Sequence, residues 1–490
     1  MKDIVQNNEK GLDIIMKWKK NHRRGYSCIL LAIIMIGGIT LFFERAGSSF
    51  GRTVSTSLLF KLADSYQAGT IYDRNKTVIG RGVEIGKMEW GLEADAMDAC
   101  SNLIGTPIQT TFASSYTVLG MAAPNLYGYY QNRFTNWKDW LFPRKRIGDD
   151  VTLTIDCAMQ EEIYKTIKNF SNACVTVINY KTGEILAMVS VPTFDIRDEE
   201  ALQLDENGVI DASYNNSAYI NKNLHATYMP GSTIKPILLA IALDAHPELK
   251  DFVYICEEGN HTFGNMTVDC FDGEFHGKMN LNDGIRLSCN GFAIAMSLEM
   301  SEEELEEGLK RWELDTAKQY ENRFACDSSS FYGKGEHSQV NRILGSIGQG
   351  NCRVNIYELS SMYGAIFFNG IRKDPILIQT ENNTNSKETI VCTEETAKKL
   401  QKALISVVEE GTGASYCMKE EGIIVGGKTG TADVNLKTGE RTVWAVAGIL
   451  EEDMPYVVTV CLADQGKEAS GGTTAGPVMK EVLKKIVSKR

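Results

Sequence analysis

Five short apolar runs, at 174–179, 185–191, 423–426, 443–450 and 456–462, bound what this chain of 490 residues can fold into. Each has the length and the Val/Ile/Ala content of a buried strand. Two lie early and three lie late, with long helical patterns between them. Such a chain must bring its end back to its beginning. The late strands then pair with the early hairpin, which predicts a mostly antiparallel sheet flanked by helices, an α+β domain. At 43% hydrophobic the chain has ample material for a large core, and its length suggests two to four domains in all.

Three short motifs add chemistry to that frame. Ser232 lies in Tyr228-Met229-Pro230-Gly231-Ser232-Thr233-Ile234-Lys235-Pro236, ahead of the apolar run Ile237 to Leu243. The Pro-Gly pair reads as a turn feeding the first turn of a buried helix, where Pro236 forfeits no hydrogen bond. Lys235 then shares a helical face with Ser232. A serine hydroxyl needs a neighbouring base to become a nucleophile. Lysine can serve only when neutral, a form favoured by burial and by a nearby cation, for which Lys428 is the candidate. The helix N-terminus favours negative charge at Ser232. Ser288-Cys289-Asn290 sets two polar side chains two apart between helical segments; alone it reads as a helix cap, with Cys289 a small buried filler. Lys-Thr-Gly occurs three times. At 181–183 and 437–439 it is followed by glutamate and reads as a turn. Only Lys428-Thr429-Gly430 continues a strand-like run, whose exposed edge could take an extended peptide by strand addition.

In this order, S-x-x-K, S-x-N and K-T-G resemble the motifs of the penicillin-binding transpeptidases and their serine β-lactamase relatives. Gly348-Gln349-Gly350, Gly411-Thr412-Gly413 and His276-Gly277 look like further landmarks of that family. Upstream, Gly69 to Asn75 and Asp149 to Asp156 resemble segments of the class B penicillin-binding proteins. The resemblance implies the family's transpeptidase domain, with an all-helical subdomain beside the sheet. It implies a D,D-transpeptidase that cross-links peptidoglycan stem peptides ending in D-Ala-D-Ala and is acylated by β-lactam antibiotics. In that reading Ser232 is the nucleophile and Lys235 its base. Ser288 relays a proton, Asn290 orients the peptide, and Lys428, Thr429, Gly430 and Thr431 bind the substrate's carboxylate end. The backbone N–H groups of Ser232 and Thr431 form the oxyanion hole. A β-lactamase or β-lactam sensor of the same fold, and a non-catalytic assembly scaffold, are the alternatives. No glutamate for deacylating water can be placed by motif, and all the motif side chains are intact. There is no room for a glycosyltransferase domain.

Tyr26 to Phe43 is an uncharged, mostly apolar stretch preceded by Lys17, Lys19, Lys20, Arg23 and Arg24. That predicts a cytoplasmic tail at 1–25, a single membrane anchor at 26–43 and an extracytoplasmic remainder. A smaller non-catalytic mixed domain is expected at 44–150 and the transpeptidase domain at 151–490. By the resemblance, the smaller domain docks a membrane-embedded glycan polymerase. Gly47-Ser48-Ser49-Phe50-Gly51 matches G-x-S-x-G but lacks the strand that the motif needs before it. The net charge of −12 argues against nucleic acid. No cofactor or metal is expected: six histidines show no ligand spacing, and twelve cysteines include no C-x-x-C. The cysteines read as reduced and buried. Cys256 and Cys270 bracket a polar excursion before His276, where the resemblance leaves a disulfide open.

Overall fold

A computed structural model describes residues 67–105, 117–128, 147–198, 216–316, 324–333, 337–379 and 386–488, and the helical residues Tyr26, Ile34, Met35 and Gly37. The expected tail at 1–25, the rest of the expected anchor at 26–43 and the Gly47 to Gly51 stretch lie outside the described residues. Among the described residues no helix is long and apolar enough to cross a membrane. The described residues from 67 onward belong to one compact unit.

The apolar runs become five strands of one antiparallel sheet. They are β1 (Ala173–Asn179), β2 (Ile185–Val191), β3 (Val425–Asn435), β4 (Glu440–Ile449) and β5 (Tyr456–Gln465), in the order β3-β4-β5-β1-β2. The expected closure is made by β5 on β1, with Val460 opposite Val175. The K-T-G copies at 181–183 and 437–439 turn β1 into β2 and β3 into β4. The third copy runs inside β3, an edge strand whose ladder pairs Lys428 with Val446 and Gly430 with Trp444.

Helices α1 (Cys157–Ile167), α2 (Lys235–Ala245), α3 (Asn290–Leu298), α4 (Ile356–Phe367), α5 (Glu394–Glu410) and α6 (Gly476–Val487) lie before, between and after these strands. Met479, Val482, Leu483 and Ile486 form one stripe of α6 at helical spacing. With Met159, Ile163 and Ile167 of α1 they pack on Val175, Val177, Val458 and Val460. Each such side chain contributes roughly 1.5–3 kcal/mol when fully buried. Alternation sends Thr176 and Thr459 to the opposite face, where Ser360 of the buried α4 donates to Thr459 Oγ1 at 2.8 Å. The sheet is thus a middle layer between helices. α2 is apolar all round and buried from Lys235 to Leu243.

Two features differ from the sequence reading. Thr70–Tyr72, Val78–Glu84 and Lys87–Trp90 join Val151–Leu153 and Ile378–Gln379 in a second five-stranded sheet. Between β2 and β3, four two-stranded ribbons accompany the helices among the described residues, two of them Tyr254–Cys256 with Gly277–Met279 and Asn260–Phe263 with Met266–Asp269. The segment is therefore not all helical. Gly264-Asn265 is a two-residue hairpin loop, which holds this polar stretch as strands.

Candidate active site

The turn carrying Ser232 is built by close backbone approach. Gly231–Ile234 forms a 3₁₀ turn that runs directly into α2. Gly231 has φ 53°, and a Cβ there would sit 2.5 Å from the Thr431 carbonyl oxygen on β3. Gly348 closes the turn from the other side, its carbonyl accepting the Gly231 N–H at 3.0 Å. Trp444 Nε1 donates to the Met229 carbonyl, and Tyr363 OH to the Thr233 carbonyl, each at 2.8 Å. The position of Ser232 is thus fixed by β3, β4, α4 and the Gly348 loop together.

Lys235 and Lys428 are both buried, at 1% and 0% exposure. Lys235 Nζ donates to Asn290 Oδ1 and to the Ser288 carbonyl, both at 2.6 Å, and lies 3.4 Å from Ser288 Oγ. Lys428 Nζ donates to Ser288 Oγ at 2.8 Å and to the Thr429 carbonyl at 3.1 Å. The Ser288 hydroxyl is therefore held between two amines. Asn290 Nδ2 donates to the Asp269 carbonyl at 2.7 Å. Ser288 has φ 59°, a left-handed backbone that costs a non-glycine residue on the order of 1 kcal/mol. Cys289, not Ser288 or Asn290, caps α3, and it is fully buried.

Burial pushes the Lys235 ammonium down to about 8, with the thiols of Cys289 and Cys270 acting the other way. Burial also lowers Lys428 well below the usual lysine range, and repulsion from Lys235 lowers it further. Of the two expected causes of a neutral Lys235, burial is the one that lowers it, while the repulsion between the amines lowers Lys428.

A cleft of about 680 Å³ opens beside this cluster, lined among others by Ser232, Ser288, Asn290, Thr412, Thr429 and Thr431. Gly430 lines it too. Thr429 Oγ1 donates to Thr412 Oγ1 at 2.8 Å, and Thr431 Oγ1 accepts the Gly471 N–H at 3.0 Å. All eight residues singled out from the sequence thus meet at the cleft and its buried floor. One expected contact is not made: Lys235 Nζ is taken up by Ser288 and Asn290, and no hydrogen bond joins it to Ser232 among the described residues. Such bonds often tighten only when substrate is bound. The arrangement suits serine acyl transfer: a hydroxyl at a helix start, a buried amine one turn on, and a second amine and hydroxyl to carry protons.

The structure also gathers residues that motif spacing did not connect. Cys256, Cys270 and Cys289 are free thiols, so no disulfide joins Cys256 to Cys270. Their sulfurs converge with His261 and His276 beside the Ser288 turn, and Cys270 and His276 also line the cleft. The four segments involved lie up to 33 positions apart, so no local pattern announces them.

Comparison with known proteins agrees with the geometry. The sequence model of the penicillin binding protein transpeptidase domain matches residues 173–484. Penicillin-binding protein 3 of Bacillus subtilis is 29% identical over 320 residues, covering 61% of this chain and 45% of that protein. Stage V sporulation protein D of the same organism is 26% identical over 360 residues, covering 69% and 53%. The chain spans about half the length of these curated relatives. Among solved structures, the D,D-transpeptidase domain of an Eggerthella lenta peptidoglycan glycosyltransferase superposes with TM-score 0.68 at 23% identity, over 86% of this chain and 99% of that one. Penicillin-binding protein A of Mycobacterium tuberculosis, as a ceftriaxone acyl-enzyme, superposes with TM-score 0.71 at 18% identity, over 87% and 99%.

Proposed function

Because this chain belongs to the penicillin-binding protein transpeptidase family, we propose that it is a class B D,D-transpeptidase acting on peptidoglycan stem peptides. The observation that carries the reading is the meeting of Lys235, Ser288, Asn290 and Lys428 through bonds of 2.6–2.8 Å at the floor of the cleft that Ser232 lines. Ser232 Oγ attacks the carbonyl between the two terminal D-alanines while its proton passes to neutral Lys235. The N–H groups of Ser232 and Thr431 hold the developing oxyanion. The C–N bond breaks, and the departing amine takes a proton through Ser288, recharged from the Lys235/Lys428 pair. An amine of a second stem peptide then attacks acyl-Ser232, returning its proton along the same path. Asn290 orients the peptide, and Lys428, Thr429, Gly430 and Thr431 receive its terminal carboxylate. A β-lactam enters the same cleft and leaves a persistent acyl-Ser232.

The basic segment before Tyr26 and the apolar stretch to Phe43 support a single anchor with the catalytic domain outside the cytoplasm. The proposal keeps 44–150 as a non-catalytic region serving a membrane-embedded glycan polymerase, and 151–490 as the catalytic domain. The test is labelling with fluorescent penicillin alongside release of D-alanine from a stem pentapeptide. Wild type should label and release; Ser232→Ala should do neither. Unlabelled wild type would support the scaffold reading, and rapid turnover of the label would support a β-lactamase.

A further inference from the structure

We propose that Cys256, Cys270, Cys289 and His276 form a structural zinc site that anchors the Ser288-Cys289-Asn290 turn. Three thiols and an imidazole reach one point from four segments: the end of Tyr254–Cys256, the residue after Met266–Asp269, the residue before Gly277–Met279, and the cap of α3. Their ligand atoms all lie within 4.8 Å of one another. The Cys270 and Cys289 sulfurs are 3.7 Å apart, and Cys256 Sγ is 3.5 Å from His276 Nδ1. A tetrahedral zinc with bonds of about 2.3 Å to sulfur and about 2.0 Å to nitrogen separates its ligands by roughly 3.3–3.8 Å. The sulfurs are thus too far apart for a disulfide, whose S–S bond is about 2.05 Å, yet near the spacing a metal imposes.

Groups around the cluster match an outer shell. Glu274 Oε2 lies 3.8 Å from His276 Nε2, the nitrogen facing away from the sulfurs. His261 Nε2 is 3.2 Å from Cys270 Sγ and 3.6 Å from Cys256 Sγ, while its Nδ1 meets Tyr254 OH at 2.9 Å. That ring can donate N–H to two thiolates and accept from the phenol. The Phe292 N–H points to Cys289 Sγ at 3.4 Å. A Cβ at Gly291 would overlap the His261 ring, so a residue beside the catalytic asparagine is bare where the cluster needs room. Three cysteines as apolar filler would require none of these partners. The soft S₃N donor set selects zinc over harder ions, and loading it releases the three thiol protons.

Because Cys289 lies between Ser288 and Asn290, and the Asp269 carbonyl holds Asn290 beside Cys270, the metal would fix the proton-relay turn from the wall of the cleft, which Cys270 and His276 also line. Zinc content does not depend on the transpeptidase reading. The full chain, stripped with a chelator and exposed to zinc chloride alone, should retain about one zinc per chain after desalting, with three thiols then protected from maleimide. Cys270→Ser and Cys256→Ser should lose that zinc, and Cys417→Ser, outside the cluster, should keep it. Should the cluster variants fail to fold, cobalt loading of the wild type replaces them, through thiolate-to-cobalt bands of intensity matching three sulfurs. Chelation should also slow penicillin acylation, with zinc restoring it. A wild-type chain that takes up neither zinc nor cobalt, a Cys270→Ser variant that keeps full zinc, or a disulfide between any two of the three cysteines overturns the proposal.

Discussion

Gly348→Ala tests whether backbone contact, rather than side-chain chemistry alone, fixes the nucleophile. Gly348 has φ 70°, and an added Cβ would overlap the Gly231 carbonyl oxygen. The matched control is Gly422→Ala: φ is 74°, and nothing lies within 4 Å of an added Cβ. Both substitutions carry the left-handed penalty of about 1–2 kcal/mol. Only Gly348→Ala adds an overpacking cost of about 1–3 kcal/mol. The difference between the two variants therefore isolates the contact with Gly231. Relief of the overlap must move the Gly348 loop or the Gly231 peptide, and the latter carries Ser232. Misplacing a reacting group by about 1 Å can reduce rate on the order of a hundredfold. Denaturant melts and the second-order rate of acylation by a fluorescent penicillin measure both effects. Gly348→Ala should be the less stable variant by at least about 1 kcal/mol and acylate at least about tenfold more slowly than Gly422→Ala. Equal stabilities and equal rates would refute the claim that this contact positions Ser232.

Two further outcomes follow from the buried amines. Lys428→Met removes the donor to Ser288 Oγ while keeping an apolar stem in a site with no exposure. Acylation should slow by about 10²-fold or more, and the melting temperature should hold or rise, since an amine whose charge burial disfavours has been removed. Wild-type acylation with a reduced melting temperature would mean that Lys428 is structural only. Because burial brings Lys235 to about 8 and only its neutral form accepts a proton, the acylation rate should rise with pH below 8 and level off above it. A pH-independent rate measured across that range, with the protein still folded, would remove Lys235 as the base.

The sheet was legible because four of its strands are buried on both faces and so read as mostly apolar runs, while β3 showed only its first residues in that way. The helix α2 was legible for a related reason: no polar residue interrupts Ile237 to Leu243, and Pro236 marks the first turn. The choice among three K-T-G copies rested on the apolar run that only one of them continues, and that copy is the one inside a strand. The second sheet left weaker traces. Thr70–Tyr72 and Val151–Leu153 are three residues each, too short for a period to register, and their parallel pairing spans a long stretch of sequence. The ribbons at 254–279 carry the polar alternation of half-exposed strands and no long apolar run.

The Ser288 turn shows why pattern alone undersells such a site. S-x-N assigns nothing to its middle position, and a small apolar filler satisfies it. Here that position is the buried cap of α3 and reaches into a thiol cluster whose Cys270 and His276 also line the cleft. Ser288 is held in a left-handed conformation that its own side chain does not favour. Such strain persists only where the surroundings over-determine the backbone. From the buried floor, Lys235 donates to the Ser288 carbonyl and to Asn290 Oδ1. From the ribbon at 260–269, the Asp269 carbonyl accepts from Asn290 Nδ2, and Cys289 meets Cys270. The turn is clamped by the buried amine and by the ribbon together, so its hydroxyl and amide are set before substrate arrives. If one clamp is a metal, loss of that ion should loosen the relay while Ser232, fixed from β3, β4 and α4, stays where it is.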